Sequence, residues 1–163
     1  MNSKLIAEVG KLDQFQTMHH ITDGSWSLHE LIEYVLQQTG SAHVRIASFA
    51  LGEIAIRCLS RLVDENKIIT LNCLFDKSCK RTKFDLLLFC SSIANIRLAD
   101  NHMKLILIEN NKWHVAINTS ANLTPNKRTE AYVITTMYND YRYYSNCYNE
   151  LFAKATIQEY DVQ

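Results

Sequence analysis

The sequence predicts an α/β domain with a mixed, mostly parallel central sheet and helices on both faces. Three observations carry that expectation. Apolar runs of strand length alternate with amphipathic stretches of helix length, the pattern of strand-helix-strand units. Turn and cap residues punctuate them, at Asp23-Gly24 and at Gly40. Hydrophobic residues make up 47% of the 163 positions, enough for one domain with a sizeable core.

Each element has its own signal. Residues 1–16 are expected to form an N-terminal arm or short helix, with Leu5, Ile6, Val9 and Leu12 at helical spacing, ahead of a domain running over 17–163. Thr17 to Thr22 reads as a first strand. Ser27 with Glu30 makes a capping box, and the helix it opens carries Leu28, Leu31, Ile32, Val35 and Leu36 on one face. His43 to Ala50 is the next strand. Leu51 to Glu65 is a helix with an apolar stripe of Ile54, Cys58, Leu59 and Leu62. Ile68 to Phe75 is almost wholly apolar and so expected to be central. Phe84 to Ala94 is a helix, Ile96 to Ala99 a short strand, and Leu105 to Ile108 a buried one. The turn Asn110–Lys112 returns the chain into Trp113 to Ile117. Ala131 to Met137 is the last expected strand. Asp140 to Ala155 is a final helix whose tyrosines, Tyr141, Tyr143, Tyr144 and Tyr148, read as packing groups.

Composition narrows the function. The chain has 17 basic and 17 acidic residues. This balance speaks against a general polyanion-binding surface but allows a local positive cleft. The most basic stretch holds Lys77, Lys80, Arg81 and Lys83. It reads either as a solvated loop and first helical turn or as a phosphate-contacting rim. No apolar run is long enough to cross a bilayer, and the N-terminus lacks a signal-peptide core, so the expected location is cytoplasmic. The five cysteines, Cys58, Cys73, Cys79, Cys90 and Cys147, include no CxxC pair, and Cys58 and Cys90 read as small core residues. His19 and His20 are adjacent and would point opposite ways on a strand. No cysteine or histidine cluster has metal-ligand spacing, so no metal site is expected.

The chemistry concentrates in HMKLILIENNKWHVAINTSANLTPNKRTE, from His102 to Glu130. His102 and Lys104 are two apart and share a face on a strand, as do Ser120 and Asn122. A histidine can attack phosphorus or shuttle a proton near neutral pH. An ammonium, a hydroxyl and an amide can hold phosphoryl oxygens as charge develops on them. A carboxylate such as Glu130 can orient the imidazole. The set suits a phosphodiester.

This string resembles the HxKxxxxD…GSxN signature of the phospholipase D-like superfamily, and the resemblance runs from about Thr17 onward. His102 and Lys104 match its HxK pair, Ser120 and Asn122 its serine and asparagine, and Glu130 its downstream glutamate. The sequence departs from the signature at Glu109, which stands where the aspartate belongs, and at Thr119, which replaces a glycine. The gap between Glu109 and Ser120 is also a few residues longer. Glu109 and His114 are read as structural.

The resemblance implies a site built from two such motifs facing one cleft. The chain has only one, so the implied enzyme is a homodimer with two His102 side chains brought together across a two-fold axis. It implies a nuclease-type phosphodiesterase that needs no metal or cofactor, because lysines supply the charge. It also implies nucleic acid as substrate, and no membrane partner is expected because the sequence shows no basic amphipathic helix or lipid anchor. The alternative is a catalytically weak or inactive nucleic-acid-binding or dimerisation module of a restriction or mobile-element system.

Overall fold

The computed structural model describes residues 2–125 and 127–157. Eight strands form one sheet: β1 (Thr17–Thr22), β2 (Ala42–Ser48), β3 (Ile68–Asp76), β4 (Asn95–Ala99), β5 (Leu105–Glu109), β6 (His114–Thr119), β7 (Glu130–Thr135) and β8 (Thr156–Ile157). Their spatial order is β1-β7-β6-β5-β2-β3-β4-β8. The helices are α1 (Ser3–Val9), α2 (Leu28–Thr39), α3 (Glu53–Asp64), α4 (Cys79–Thr82), α5 (Phe84–Ser91) and α6 (Tyr138–Lys154).

The sheet is mixed, as expected, but its balance is the reverse of the expected one. Only β2–β3 and β3–β4 are parallel, and the other five pairings are antiparallel. The crossovers through α3 and α5 make the two parallel pairs. The alternation of β1, α2 and β2 suggests a third, but β1 crosses to the far edge and pairs antiparallel with β7. β5 then enters beside β2 through a short loop, and β5, β6 and β7 continue as a meander. Short connections of this kind permit only antiparallel neighbours.

Helices cover both faces, but unequally. Val44, Ile46, Cys73, Phe75, Ile106, Ile108 and Ile117 point into one core with α1, α2, α3 and α5. Residues of opposite parity, among them Ala47, Leu74, Leu105, Leu107 and Ala116, meet Tyr141 and Tyr148 of α6 on the other face. Tyr141 and Tyr148 are therefore packing groups, Tyr144 packs partly against the same cluster, and Tyr143 is 66% exposed. On α3 the buried stripe is Ala55, Ile56, Leu59 and Leu62. Ile54, expected within it, faces solvent, because the helix starts at Glu53 and turns Ala55 toward the sheet.

The α6 face carries one internal ion pair. Arg45 on β2 meets Glu109 on β5 at 3.0 Å. The same guanidinium donates to the Tyr141 hydroxyl, to Ser145 and to Asn149 of α6. Tyr141 also hydrogen-bonds Glu109. Glu109 is thus bound at the end of β5 away from His102, in keeping with its structural reading.

The caps follow the sequence signals. The Glu30 carboxylate accepts the Ser27 N–H at 2.7 Å, closing its half of the capping box. Gly40 ends α2 at φ 82°, a left-handed conformation that favours glycine. Of the two options for residues 1–16, the helix is the one that forms. Leu5, Val9 and Leu12 are buried in the main core. The Trp26 indole donates to Glu8 at 2.6 Å, and the Tyr34 hydroxyl donates to the Gly10 carbonyl at 2.8 Å. Among the described residues no helix is long and apolar enough to cross a membrane.

Leu5→Ala tests the docking of α1. Truncating a fully buried leucine should cost about 2–5 kcal/mol in urea denaturation. A change below about 0.5 kcal/mol, the range of ordinary surface substitutions, would mean that α1 lies loosely on the domain.

Candidate active site

The parallel strands β2, β3 and β4 all end on one side of the sheet, where ligands of open α/β sheets commonly bind. The antiparallel strands bring their own loops to the same side. Ala47, near the end of β2, pairs with Leu105 at the start of β5, so the His102–Lys104 segment begins where β2 ends. β6 ends there at Thr119, and β7 starts there at Glu130. The ends of β2, β3, β4 and β6 and the starts of β5 and β7 thus converge.

His102 and Lys104 come together, but in the loop before β5 and not on a strand as expected, and Ser120 and Asn122 likewise lie just past the end of β6. The Lys104 Nζ lies 3.1 Å from Nδ1 and 3.4 Å from Nε2 of His102, and donates to the His102 carbonyl at 2.8 Å. Lys104 is 8% exposed. Burial lowers its pKa, and the negative charge of Glu130 pulls the other way. The Ser120 hydroxyl hydrogen-bonds the Glu130 carboxylate and accepts the Ala131 N–H at 3.0 Å. The Thr119 N–H donates to the Lys104 carbonyl at 3.2 Å, joining the two halves of the group through the backbone. Asn122 is half-buried, and its Oδ1 is shielded from solvent with no partner among the described residues.

Thr119, where the signature has glycine, is used locally. Its hydroxyl donates to the Ala131 carbonyl at 2.8 Å and accepts the Ala121 N–H at 3.0 Å. It holds the turn that presents Ser120.

Four further residues build the site without being singled out by the sequence. Phe49, just beyond β2, sets its ring 4.9 Å from the His102 imidazole at a 54° tilt, and Lys104 Nζ lies 5.8 Å from its centroid. Asn101 is buried. Its amide donates to the Ser48 and Leu74 carbonyls, both at 3.3 Å, and accepts the Met103 N–H at 3.0 Å. The Ser48 hydroxyl accepts the Leu123 N–H at 3.0 Å, anchoring the segment that carries Asn122. Asp76, the last residue of β3, accepts the Asn101 N–H at 3.1 Å. Burial opposes its charge, but hydrogen bonds from Ser78 and Asn101, with the nearby charge of His102, hold its carboxyl below the usual range. Asp76 did have a signal, a carboxylate at the carboxyl end of an apolar strand. No pattern marks Phe49, Ser48 or Asn101.

Glycine is required at two approaches around this loop. A Cβ on Gly24, at φ 85°, would sit 2.3 Å from the Lys127 carbonyl carbon. One on Gly52 would sit 2.9 Å from Pro125 Cδ, while the Gly52 N–H donates to the Leu123 carbonyl at 2.8 Å. Among the described residues no three His, Cys, Asp or Glu side chains are grouped as a metal would need.

The chain has a mixed α/β fold like that of phospholipase D family members of known structure. Nuc from Salmonella typhimurium, a phospholipase D family member, matches with a TM-score of 0.70 at 11% identity, over 89% of this chain and 100% of its own. NucT from Helicobacter pylori matches with a TM-score of 0.66 at 13% identity, over 88% of this chain and 100% of its own. TrmBL2, an archaeal chromatin protein described for a novel mode of DNA binding, matches at 0.58 and 12% identity, over 95% of this chain and 59% of its own. At these identities the likeness is one of fold. No family model and no curated protein sequence matches the chain.

Asn101→Ala should expose the dependence of the site on its clamp. It leaves two buried carbonyls without their donor, which should cost about 2 kcal/mol in denaturant unfolding. Ring signals of His102 in NMR spectra should shift in the same variant. An unmoved His102 signal would show that Asn101 serves the core alone.

Proposed function

We propose that this chain is a metal-independent phosphodiesterase of the nuclease type, working as a homodimer on nucleic acid. The observation that carries this reading is the buried Lys104 ammonium 3.1 Å from His102, with Ser120 and Glu130 hydrogen-bonded beside them. The phospholipase D-like fold supports it, and the match to Nuc and NucT over their whole chains makes a single-motif protein of this size reasonable.

In this reading one His102 attacks phosphorus, and a P–N bond forms as the bond to the leaving oxygen breaks. The partner's His102 gives that oxygen a proton. The same imidazole then takes a proton from water, the resulting hydroxide attacks phosphorus, and the P–N bond breaks to release the phosphate monoester. Lys104, Ser120 and Asn122 hold the phosphoryl oxygens, with lysine charge in place of a metal. Glu130 orients the site through its acceptor oxygens.

A second reading has one observation in its favour. The likeness to TrmBL2, described for its mode of DNA binding, supports a catalytically weak or inactive nucleic-acid-binding module. Hydrolysis of single- and double-stranded DNA and RNA in excess EDTA separates the two. Wild type should cleave, His102→Ala should lose at least about a thousandfold, as expected for a lost nucleophile, and both should sediment as dimers. Cleavage by purified His102→Ala would remove His102 from the mechanism, while a gel shift with no cleavage by either protein would favour the binding module.

Lys104 sets a pH limit. Its lowered pKa means that the ammonium is lost at a lower pH than on an exposed lysine, and only the charged form stabilises the transition state. Thus kcat/KM should fall on the alkaline side, below the ordinary lysine value. Lys104→Arg stays charged in this range and should move that limb upward. An identical alkaline limb in both proteins would assign it to another group.

A further inference from the structure

The basic stretch after β3 is not consumed by the site. Lys77 pairs with Asp100 at 2.9 Å, but Lys80, Arg81 and Lys83 make no ion pair among the described residues, and all three are exposed. In a chain of zero net charge this is a local positive excess. Arg81 and Lys83 line a groove of about 560 Å³ between α3 and α5, together with Arg57, Phe84 and Phe89. Two carboxylates also line it. Glu53 is engaged by Arg57 at 2.8 Å, and Asp85 stands in the first turn of α5. Phe84 and Phe89 are 47% and 36% exposed, and the Arg57 guanidinium lies 5.8 Å from the centroid of Phe89.

The groove adjoins the site. The Cys79 thiol, at the start of α4, donates to the Phe49 carbonyl at 3.3 Å, and the Phe49 ring packs on His102. From Cys79 to Lys83 the chain climbs only about 6 Å. The groove thus lies on the same side of the sheet as His102, linked to it through Cys79 and Phe49.

We propose that this groove binds an unpaired stretch of the nucleic-acid substrate flanking the cleaved phosphate. Arg81 and Lys83 take backbone phosphates, and the phenyl rings take bases. The combination selects single strands, because an exposed ring can stack on a base only when that base is free of its duplex neighbours. A duplex would offer phosphates to the cations and nothing to the rings. The inference rests on the reading of the site as one that acts on nucleic acid, and it goes further by assigning a strand preference and the residues that set it.

The test is binding, read apart from turnover. Fluorescence anisotropy of a short labelled single strand, and of a hairpin duplex of related sequence, is measured in EDTA on the His102→Ala background so that neither probe is cut. Arg81→Ala/Lys83→Ala should weaken the single strand about tenfold or more at low salt, and lower the slope of log affinity against log salt by about 1.4, the value for two phosphate contacts on a single strand. Phe89→Leu keeps apolar bulk on α5 but removes the ring. It should weaken the single strand about fivefold or more and leave the duplex unchanged. Thermal melts monitor folding throughout. Single-strand affinity unchanged in either variant, or a duplex bound as tightly as the single strand, overturns the proposal. Groove-dependent binding by a protein whose wild type hydrolyses nothing would uphold the groove and sink the phosphodiesterase reading.

Discussion

Asn101 sits where the parallel strands end and the antiparallel half of the sheet begins, and its side chain spans both. It ties the carbonyls of Ser48 and Leu74 to the loop that carries His102 and Lys104. A buried amide left half-paired costs more than it returns, so the loop is held in the one path that satisfies all three bonds. The Ser48 hydroxyl extends the same tie to Leu123, and Asp76 to the Asn101 N–H. The two loops bearing the matched motif residues are thus positioned by polar groups that belong to neither.

Charge is handled differently on the two faces. Beneath α6, Arg45 is neutralised by Glu109 and donates three further hydrogen bonds to α6, so a glutamate at the place of the signature's aspartate becomes a tie between strand and helix. At the mouth of the sheet the Lys104 ammonium is buried against an imidazole and over the face of a phenyl ring. A cation kept there at a desolvation cost is suited to binding an anion, which restores what burial removed. Overall neutrality and a strongly local positive potential are therefore compatible.

Much of this was legible in the sequence because it was periodic. The sequence pointed to His102 and Lys104 as a pair, although they meet in the loop before β5 and not on a strand, and Ser27, Glu30 and Gly40 bounded α2. The sheet order was not legible, since alternating strands and helices specify crossovers but not neighbours. Nothing local in Thr17–Thr22 says that it pairs with Glu130–Thr135. Ile54 misled because an apolar residue near a helix start can lie a turn's fraction outside the buried arc. Phe49 and Asn101 were invisible for another reason: each acts through tertiary contacts with segments dozens of positions away, and no spacing encodes those.

The place of β5 bears on how the molecule assembles. It lies between β2 and β6 in the middle of the sheet, yet the chain reaches it only after β2, β3 and β4. The three parallel strands, with α3 and α5, form a unit that can pair early. That unit keeps a bare inner edge on β2, with unsatisfied N–H and C=O groups. Only the meander from β5 to β7 closes it, and β1, made first, must wait for β7. Such long-range pairings are slow to form. The candidate residues hang from the closing strands, so they come together only where that edge is closed, and a chain with the edge left open would present unpaired β2 where its site should be.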